Sequence, residues 1–570
     1  MSRYRDQHPS QAPAAERRDG GGYRPTHIIG IDVNRSGSSS RWRGIPLLRL
    51  LTFIILGVQF LLIFRPDEYF RSRPFQEDAF YALSVARSLA AGKGISIDGV
   101  HPTNGVQPLI CFLDAPLFAV AGGDQFLALR LALLLQIILL CAATFAVAWF
   151  AATLLRRPEE KPRVFWLVAM LIAWSYPFIN GMMNGLETGL AITMGFTAAS
   201  YYNARIVTDP DAGLGRHALL GLLLGVAVLA RIDLSFLVPA ILLCHLVRAH
   251  LRYAALPWSE RLGRLRRVLL ECATIGVISV AVSSPWWIYN LTMFGSLVPI
   301  SGQSQKMLIT DRPLNVATAF YVLADALAIT VNTPRSLAEI SPLLGALGFL
   351  VVMAIIFAVG RGFPLLGRAL RSWGEWWDPS RIAPLGLFAL GITLYYAFFF
   401  GAPHFLIRYL MPARILISLA VVTLLYIVWN LAPARSPLRG LLMLVLAGTM
   451  AVSIYGYSWN FTNYLGNTFS SPAVWIAESL PPTATVGMFQ SGTTAFFNSN
   501  VVNLDGKVNA DALRALQQGR ISRYVDSMEF DYLIDWDYYL RQALADSATR
   551  AHYRPVDTVV GTFIVMKRTE

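Results

Sequence analysis

Two adjacent carboxylates, Glu77 and Asp78, stand where the chain leaves its first apolar run, in the stretch RPFQEDAFYALSVARSLAAGKG (73–94). A carboxylate held at the edge of a membrane can take a proton from a substrate hydroxyl, which is general-base chemistry. Apolar residues follow Asp78 with helical spacing until Gly92 and Gly94, so we predict a helix that starts at this acid and lies along the membrane surface. The simpler interpretation is that Asp78 only caps the helix. The helix dipole would keep it ionised in either role.

Further polar and ionisable residues occur in the loops and at the ends of apolar runs. These candidates for binding a substrate are His101, Asn104, Gln107, Glu187, Arg231, Asp233, His404, Arg408 and Tyr409. Ionisable groups are costly near a membrane, so they are functional candidates by default. Each also has a structural interpretation. Glu187 fits a helix cap, and Arg408 fits a side chain that reaches up to the interface. Arg231 and Asp233 fit a local ion pair, and His101 fits an ordinary loop residue.

The elements that position these residues follow from the composition. Of 570 residues, 55% are hydrophobic and only 15% are charged, and the mean hydropathy is +0.49. A soluble domain carries about 25% charged residues, so we predict a polytopic α-helical membrane protein. The net charge of +13 does not indicate nucleic acid, because the basic residues lie in short loops between apolar runs.

No nucleotide-binding or metal-binding motif is evident in the sequence. It contains no P-loop and no Gly-rich dinucleotide fingerprint after a strand. The four cysteines are scattered in or beside apolar stretches, without the paired spacing of a disulfide framework or a zinc site. The sequence therefore predicts no cofactor, and it does not demand a metal.

Eleven runs are long and apolar enough to be membrane spans. They cover residues 45–64, 125–155, 163–180, 186–203, 216–230, 234–250, 268–293, 340–360, 383–401, 409–430 and 437–458. Loops rich in Lys and Arg alternate with poor ones, which places the rich loops in the cytoplasm and the carboxylate-bearing loops outside. The sequence predicts a disordered cytoplasmic tail at 1–44 and a transmembrane domain at 45–458, whose first outer loop is 65–124. It places the protein in the cytoplasmic membrane.

The last part of the chain, 459–570, is predicted to be a small extracytoplasmic α/β domain, because long apolar runs give way to short ones. Its predicted strands are ATVGMF (484–489), VVNLD (501–505) and DYLID (531–535). Gln490, Asp505 and Lys507 are candidates to line an acceptor groove above the membrane. The simpler interpretation of NLDGKVN (503–509) is the end of a strand and a turn, since Asp-Gly favours turns.

A set of short motifs gives the chain a resemblance to a known superfamily. They are EDAFYALSVARSLAAGKGISIDGVHPTNGVQPL, NGLETGL, LARIDLSFLV, PWWIYNLTMFGSLVPISG, RYLMPA and GMFQSGTTAFFNSNVVNLDGKVN. In this order they resemble the bacterial GT-C glycosyltransferases, polytopic enzymes related to aminoarabinose transferase, protein O-mannosyltransferases and mycobacterial arabinofuranosyltransferases. The resemblance extends from about residue 47 to about residue 513.

The resemblance implies a specific chemistry. Such enzymes transfer a sugar from a polyprenyl-phosphate carrier, usually with inversion, to a hydroxyl outside the cytoplasmic membrane. The acid in their first outer loop, treated as the base, matches Asp78. Glu77 stands where many relatives have an Asp, which leaves the choice between the two acids open. Arg408 is the best match to the cations that hold the donor phosphate, with Arg231 and His404 as weaker matches.

The sequence thus predicts a membrane glycosyltransferase that acts on a cell-envelope glycan, lipid or protein. Its partners are membrane lipid, the polyprenyl-phosphate sugar and the acceptor, and arabinofuranose is a sugar suggested by resemblance. The alternative from another class is a transporter or flippase of lipid-linked sugars, which would also need many spans and intramembrane charges. A non-catalytic scaffold for envelope assembly is the second alternative.

Overall fold

The computed structural model describes residues 44–307, 312–326, 364–401, 403–462 and 469–569. The predicted tail up to residue 43 and the predicted span 340–360 lie outside the described residues. The other ten predicted spans each coincide with a helix or with a pair of consecutive helices. The chain is therefore a polytopic α-helical membrane protein with a small C-terminal α/β domain.

Helices dominate the described chain as far as residue 462. They are α1 (Ile45–Gln59, continued by a 3₁₀ turn, Phe60–Phe64), α2 (Asp67–Phe70), α3 (Ala79–Ala90), α4 (Pro108–Ala121), α5 (Gln125–Leu154), α6 (Lys161–Trp174), α7 (Tyr176–Met182), α8 (Thr188–Tyr201), α9 (Leu214–Ala230), α10 (Leu237–Tyr253), α11 (Trp258–Phe294), α12 (Ile300–Lys306), α13 (Arg312–Asp325), α14 (Pro364–Trp376), α15 (Pro379–Phe399), α16 (Leu406–Tyr409), α17 (Met411–Leu431) and α18 (Pro437–Thr462).

Within the described ranges, six helices are long and apolar enough to cross a membrane by themselves: α1 with its 3₁₀ turn, α5, α10 with the 3₁₀ turn before it, α11, α15 and α17. The pair α6 and α7 adds a seventh if it is one span, bent by 74°. The bend falls at Ser175, just before Pro177, which has no N–H to continue the hydrogen bonding of α6. The predicted count of eleven spans stays a prediction.

The centre of the bundle is α5, whose residues are apolar all round, as is typical of a helix with protein on every side. It packs against α4, α6 and α8, and α9 in turn packs against α8 and α11. These helices all converge, at one end of the bundle, on the loops that carry the candidate site residues.

The helix that follows Asp78 is α3, as predicted, but the apolar side expected to face the membrane is covered by protein. Residues 79–86 of this helix are buried without a gap, so no side of its first two turns faces lipid or solvent. The helix α4 covers one side, and a helix of the C-terminal domain covers another. The polar character that suggested a surface helix instead serves contacts with that domain, such as the hydrogen bond that Arg87 donates to the carbonyl of Phe496.

The C-terminal domain holds a five-stranded sheet in the order β2-β1-β3-β5-β4. The strands are β1 (Val486–Met488), β2 (Val501–Asn503), β3 (Tyr532–Asp535), β4 (Tyr553–Val559) and β5 (Phe563–Arg568). The helices are α19 (Ser471–Ser479), α20 (Gly492–Phe497), α21 (Ala510–Gln517), α22 (Ile521–Ser527), α23 (Asp537–Ala543) and α24 (Ser547–Ala551). Strand β1 is parallel to both of its neighbours, and β5 is antiparallel to β3 and β4.

The three predicted strands of this domain are confirmed, and the hairpin of β4 and β5 was not predicted. Its turn has positive φ angles at Val560 (49°) and Gly561 (66°). Two such residues in succession make the tight turn that suits the twist of a hairpin. A valine is unusual at such a position, so this turn could not be predicted from its residue types.

Candidate active site

A cavity of about 260 Å³ lies where the first outer loop, the loops at the ends of the spans and the C-terminal domain meet. Most of the predicted site residues gather in it or directly behind its wall. Those that line it are Asp78, Gln107, Glu187, Asp233, Arg408, Tyr409 and Lys507. The sequence placed them in five separate segments, and the fold brings them to one place.

Asp78 is at the N-terminal end of α3, but its side chain makes no capping hydrogen bond. Its Oδ2 lies 3.4 Å from the guanidinium of Arg408, and its Oδ1 lies 3.5 Å from Nζ of Lys507. Burial would raise the pKa of Asp78, but the charges of Lys507 and Arg408 outweigh it and hold the pKa below the usual range. These separations exceed the roughly 2.7–2.9 Å of a tight ion pair. The carboxylate is therefore ionised but only loosely held.

Arg408 is buried in the wall of the cavity rather than extended toward the interface, with 12% of its side chain exposed. It comes from the short helix α16, and its guanidinium stacks on Tyr409 and Phe405 at 5.0 and 4.9 Å from the ring centroids. It also donates a hydrogen bond to the Tyr409 hydroxyl, 3.2 Å away. These contacts fix the orientation of the charge, as a preorganised anion site requires.

Arg231 also contacts Tyr409, with its guanidinium 4.7 Å from the ring centroid. It is an ion-pair partner of Asp233 at 3.0 Å and of Glu187 at 3.8 Å, so the predicted local pair is part of a larger cluster. Glu187 is at the N-terminal end of α8 but, like Asp78, makes no capping hydrogen bond. The hydroxyl of Tyr396 donates to Asp233 at 2.8 Å. Because its charge is matched by two acids, Arg231 positions the wall of the cavity.

Lys507 is the cation that the C-terminal domain contributes to the cavity. It follows β2, and its Nζ lies 3.1 Å from Asp505 on the same turn. The turn predicted for NLDGKVN therefore exists, and it also presents a charge to the site. The carboxylate of Asp505 accepts a hydrogen bond from the backbone N–H of Lys507. The backbone carbonyl of Asp505 accepts one from the hydroxyl of Ser304, which connects the turn to α12.

A glycine in the first outer loop, Gly105, permits the turn of Lys507 to approach the cavity. A Cβ atom at this position would lie 1.8 Å from the carbonyl oxygen of Lys507. We expect Gly105→Ala to force the two segments apart and lower the free energy of unfolding by about 1–3 kcal/mol, as overpacking does. Thermal unfolding of the purified protein measures it. Gly57→Ala in α1 is the control, because its Cβ meets no atom within 4 Å. An equal effect of both substitutions would contradict the contact.

Glu77 does not line the cavity as its neighbour does, within the described part of the chain. Its Oε2 accepts hydrogen bonds from the backbone N–H of Thr493, at 3.0 Å, and from the hydroxyl of the same residue. This acid therefore anchors the N-terminus of α20 to the first outer loop. Between the two acids that the sequence left open, the geometry favours Asp78 as the one that meets a substrate.

Burial raises the pKa of Glu77 from 4.5 to about 7, against the lowering effect of the Thr493 hydrogen bonds. A raised pKa in the folded state means that the protonated acid stabilises the fold, and that this stability is lost as the pH rises toward 7. We expect the melting temperature of the protein to fall between pH 5 and 8 by the equivalent of roughly 2–3 kcal/mol. Glu77→Gln should flatten that part of the profile. Glu68→Gln, an exposed neighbour in α2, should leave the slope as it is, and an unchanged slope in Glu77→Gln would refute the assignment.

Several predicted site residues lie away from the cavity or support its wall. His101 is exposed and pairs with Asp98 at 2.7 Å, which fits the loop interpretation. Asn104 is buried and bridges Asn290 and the backbone of Ile300, so it holds α11 and α12 against the outer loop. Gln107 lines the cavity, but its oxygen also accepts the N–H of Ile232.

The remaining two predicted residues, His404 and Gln490, do not line the cavity among the residues that the structure describes. His404 is exposed, and its ring packs on Phe405 with centroids 4.1 Å apart. The side chain of Gln490 donates to the hydroxyl of Tyr539, and its backbone N–H donates to the carboxylate of Asp535. The charges of Lys507, Asp78 and Arg408 act on His404, so its predicted role in phosphate binding stays a prediction, as does that of Gln490 in an acceptor groove.

Sequence reasoning missed a group of uncharged side chains that form much of the cavity wall. They are Tyr81, Gln305, Tyr395, Tyr396 and Phe400. Tyr396 belongs to the aromatic cluster YYAFFF (395–400), and it stacks on Tyr409 in the site with centroids 4.6 Å apart. Gln305 is 4% exposed and its Oε1 has no hydrogen-bond partner within the described residues. Its only sequence signal was its position in the loop after the long span α11.

The acids of the cavity leave little room for a divalent cation. Asp78, Glu187 and Asp233 each lie within 4 Å of a lysine or arginine nitrogen, so their charges are already compensated. Mg²⁺ and Ca²⁺ bind where carboxylate oxygens converge without competing cations. What the arrangement offers is two positive charges, Arg408 and Lys507, that contact the two oxygens of one ionised carboxylate.

Comparison with solved structures places this geometry in a known architecture. ArnT from Cupriavidus metallidurans bound to undecaprenyl phosphate is similar over 91% of this chain and 98% of its own, with a TM-score of 0.50 and 15% sequence identity. This is the GT-C fold. The apo state of the same protein has a TM-score of 0.49 and 16% identity. An oligosaccharyltransferase from Archaeoglobus fulgidus has a TM-score of 0.48 and 12% identity, and the match covers 90% of this chain and 72% of that one.

Two comparisons by sequence add little about activity. Residues 462–569, which contain the five-stranded sheet, match a family described only as a domain of unknown function (DUF8728). No curated protein matches the chain. The GT-C fold expected from the short motifs is thus confirmed from the structure, although the sequence identity to the solved proteins is low.

Proposed function

We propose that the protein is a membrane glycosyltransferase that moves a sugar from a polyprenyl-phosphate carrier to a hydroxyl of a cell-envelope acceptor. The observation that carries this proposal is the loose contact of one ionised carboxylate, Asp78, with two cations, Arg408 and Lys507, in a cavity at the end of the bundle. A base and an anion site a few ångströms apart are what transfer from a sugar phosphate requires.

In this mechanism the donor phosphate binds between Arg408 and Lys507. The bond between the anomeric carbon and the phosphate oxygen breaks, and its electron pair leaves with the polyprenyl phosphate. The acceptor oxygen forms the new glycosidic bond, and its proton passes to Asp78. Fixed cations stabilise the charge that builds on the departing phosphate, without reorganisation during the reaction.

Binding of the donor would also make Asp78 a better base. In the free protein the two cations hold the pKa of Asp78 low. The negative charge of a phosphate bound between Lys507 and Arg408 offsets their effect on the carboxylate, and burial then raises the pKa of Asp78. A higher pKa strengthens the base at the moment when both substrates are present. The free enzyme would then spend little time in a state able to deprotonate hydroxyls without a donor.

The likeness to ArnT supports a lipid-phosphate donor, because that structure has undecaprenyl phosphate bound. The apolar and aromatic part of the cavity wall, with Phe236, Tyr395 and Phe400, gives the lipid part of such a donor an apolar surface at membrane depth. We propose inversion at the anomeric carbon, with the base opposite the leaving group. Arabinofuranose, suggested by the motifs shared with mycobacterial enzymes, is the first sugar to assay.

We also propose that the protein lies in the cytoplasmic membrane with the cavity and the C-terminal domain outside. The distribution of basic loops supports this orientation. The end of α10 and the start of α11 (residues 248–267) and the segment of α14 are rich in arginine, while the segment 65–124 beside the cavity has fewer basic residues for its length. A polyprenyl-phosphate sugar presented at the outer leaflet would meet the cavity at the depth of its headgroup.

The proposal is tested by comparing envelope glycans of a strain that lacks the gene with the same strain complemented by the wild-type gene. Mass analysis should show one sugar missing from a glycan, lipid or protein, and the wild-type gene should restore it. Purified protein in detergent should then release free polyprenyl phosphate from the matching donor. A transporter would show no turnover in detergent, because transport needs two compartments. Glycans that are identical in both strains would overturn the proposal.

A further inference from the structure

Three side chains with metal-ligand atoms converge between α9, α10 and α11, well away from the cavity. They are His217 in the first turn of α9, His245 in α10 and Glu271 in α11. One ligand atom from each lies within 4.8 Å of the other two. His217 is separated from Arg231 by 14 residues of α9, which is about 21 Å along a helix. The cluster is thus near the opposite end of the bundle from the cavity.

The orientation of the His217 ring leaves a lone pair facing the carboxylate. Its Nδ1 lies 3.2 Å from the carbonyl oxygen of Gly213, which can only accept, so Nδ1 carries the proton. In neutral imidazole the other nitrogen, Nε2, is then an acceptor. This Nε2 lies 3.9 Å from Oε2 of Glu271, an atom that also only accepts. Two acceptors face each other in a place where the His217 side chain is 2% exposed.

His245 directs its Nε2 at the same oxygen of Glu271, at 3.1 Å. The other oxygen of Glu271 accepts the guanidinium of Arg267, at 3.1 Å, which fixes the carboxylate so that Oε2 points between the two rings. Partners of this kind, which orient a ligand without touching a metal, are typical of metal sites. A positive charge between the three ligand atoms would resolve the opposed lone pairs.

We propose that His217, His245 and Glu271 bind one divalent transition-metal ion. Two imidazole nitrogens and one carboxylate oxygen suit Zn²⁺ and its neighbours in the first row, whereas Mg²⁺ and Ca²⁺ prefer oxygen alone. The ion would connect three helices that are distant in sequence, and one of them carries Arg231 at its other end. The role of the ion is structural, because it connects α9, α10 and α11 at the end of the bundle opposite the cavity.

The alternative is that a proton supplies the positive charge. A doubly protonated His217 would donate to Glu271, and the cluster would then be a buried hydrogen-bond network without any ion. The two cases differ in a direct measurement, because a proton leaves no metal in the purified protein and does not respond to a chelator.

The test uses the full-length protein in detergent, stripped with a chelator and then equilibrated with Zn²⁺ alone. We expect about one bound Zn²⁺ per chain by elemental analysis and a rise in melting temperature on adding the ion, since an ion that binds only the folded state stabilises it. His217→Ala and Glu271→Gln should each weaken Zn²⁺ binding by at least about 100-fold. His250→Ala, an exposed histidine on the same helix as His245, should retain the wild-type stoichiometry.

Glu271→Gln guards against a simple folding defect, because glutamine has nearly the volume of glutamate, its oxygen can accept from Arg267, and its amide N–H can donate to the other tautomer of His245. A hydrogen-bond network would tolerate this change, whereas a metal site would lose its only anionic ligand. Stripped protein that takes up no Zn²⁺, or uptake that is equal in wild type and Glu271→Gln, would overturn the proposal. Activity in the sugar-transfer assay does not enter the test, so its outcome is independent of the proposed function.

Discussion

Asp78→Asn is expected to lower the rate of sugar transfer by about 10²–10⁴-fold, the usual contribution of a general base. Asparagine keeps the shape of the side chain and can still contact Arg408 and Lys507, but its amide cannot take a proton. The donor should therefore bind as well as before or better, because the variant removes a negative charge from beside the phosphate. The measurement is kcat and KM for a polyprenyl-phosphate sugar with purified protein in detergent. The loss should appear in kcat.

Asp537→Asn is the matched control for this prediction, since Asp537 is an exposed acid in α23 and pairs with Arg541 away from the cavity. Its kcat and KM should equal those of the wild type. Glu77→Gln should keep most of the activity, because Glu77 bonds to Thr493 and not to the residues of the cavity. If Asp78→Asn retained the full rate while Glu77→Gln abolished it, the two acids would have been assigned the wrong way round.

The fold could be predicted from the sequence because the local composition of the chain identifies membrane spans. Each span needs about 20 apolar residues and must satisfy its own backbone hydrogen bonds, so long apolar runs admit few alternatives to a helix. The bend between α6 and α7 was not predicted, although Pro177 marks it. The hairpin of β4 and β5 was not predicted either, because Val560 and Gly561 do not form a standard turn signal.

The charged residues of the site could be recognised for the same reason that the spans could. A buried charge such as Arg231 or Arg408 is costly, so its presence near a span marks a constraint. What the sequence could not decide was which interpretation held for each residue. Asp78 and Glu187 both occupy the positions of helix caps and make no capping bond. Only the structure shows that the carboxylate of Asp78 points toward Arg408 and Lys507 and that of Glu187 toward Arg231.

The uncharged wall of the cavity had no comparable signal. Aromatic residues are as common in the core and at the interface as in binding sites. Tyr396 donates to Asp233 and stacks on Tyr409, but these partners are far apart in sequence and could not be paired by spacing. The contribution of Lys507 to the site could be predicted only in part. It was selected as a candidate, yet its contact with Asp78 depends on how closely two domains approach at Gly105.

Arg408 and Asp78 form one electrostatic unit, so changes at the two positions should not be additive. Arg408→Gln removes the charge that faces the leaving phosphate and leaves Asp78 with Lys507 alone. The loss of the Arg408 charge also changes Asp78. Because this cation lowers the pKa of Asp78, its removal raises that pKa and would make the carboxylate a stronger base. The loss of leaving-group stabilisation is the larger effect, since removing one preorganised donor of this kind costs about 10²–10³-fold in kcat.

We therefore expect Arg408→Gln to lower kcat by about 10²–10³-fold and to weaken binding of undecaprenyl phosphate, measured by native mass spectrometry of the purified protein. Arg541→Gln, which removes an exposed arginine of the C-terminal domain, should change neither quantity. Arg408→Lys should recover part of the rate, because it restores the charge but not the planar stacking on Tyr409 and Phe405. The double variant with Asp78→Asn should be little slower than the slower single variant, as is typical of residues that act together. If the losses in kcat of the two single variants were fully additive, or if Arg408→Gln bound the lipid unchanged, Arg408 would not bind the phosphate and its role would be structural.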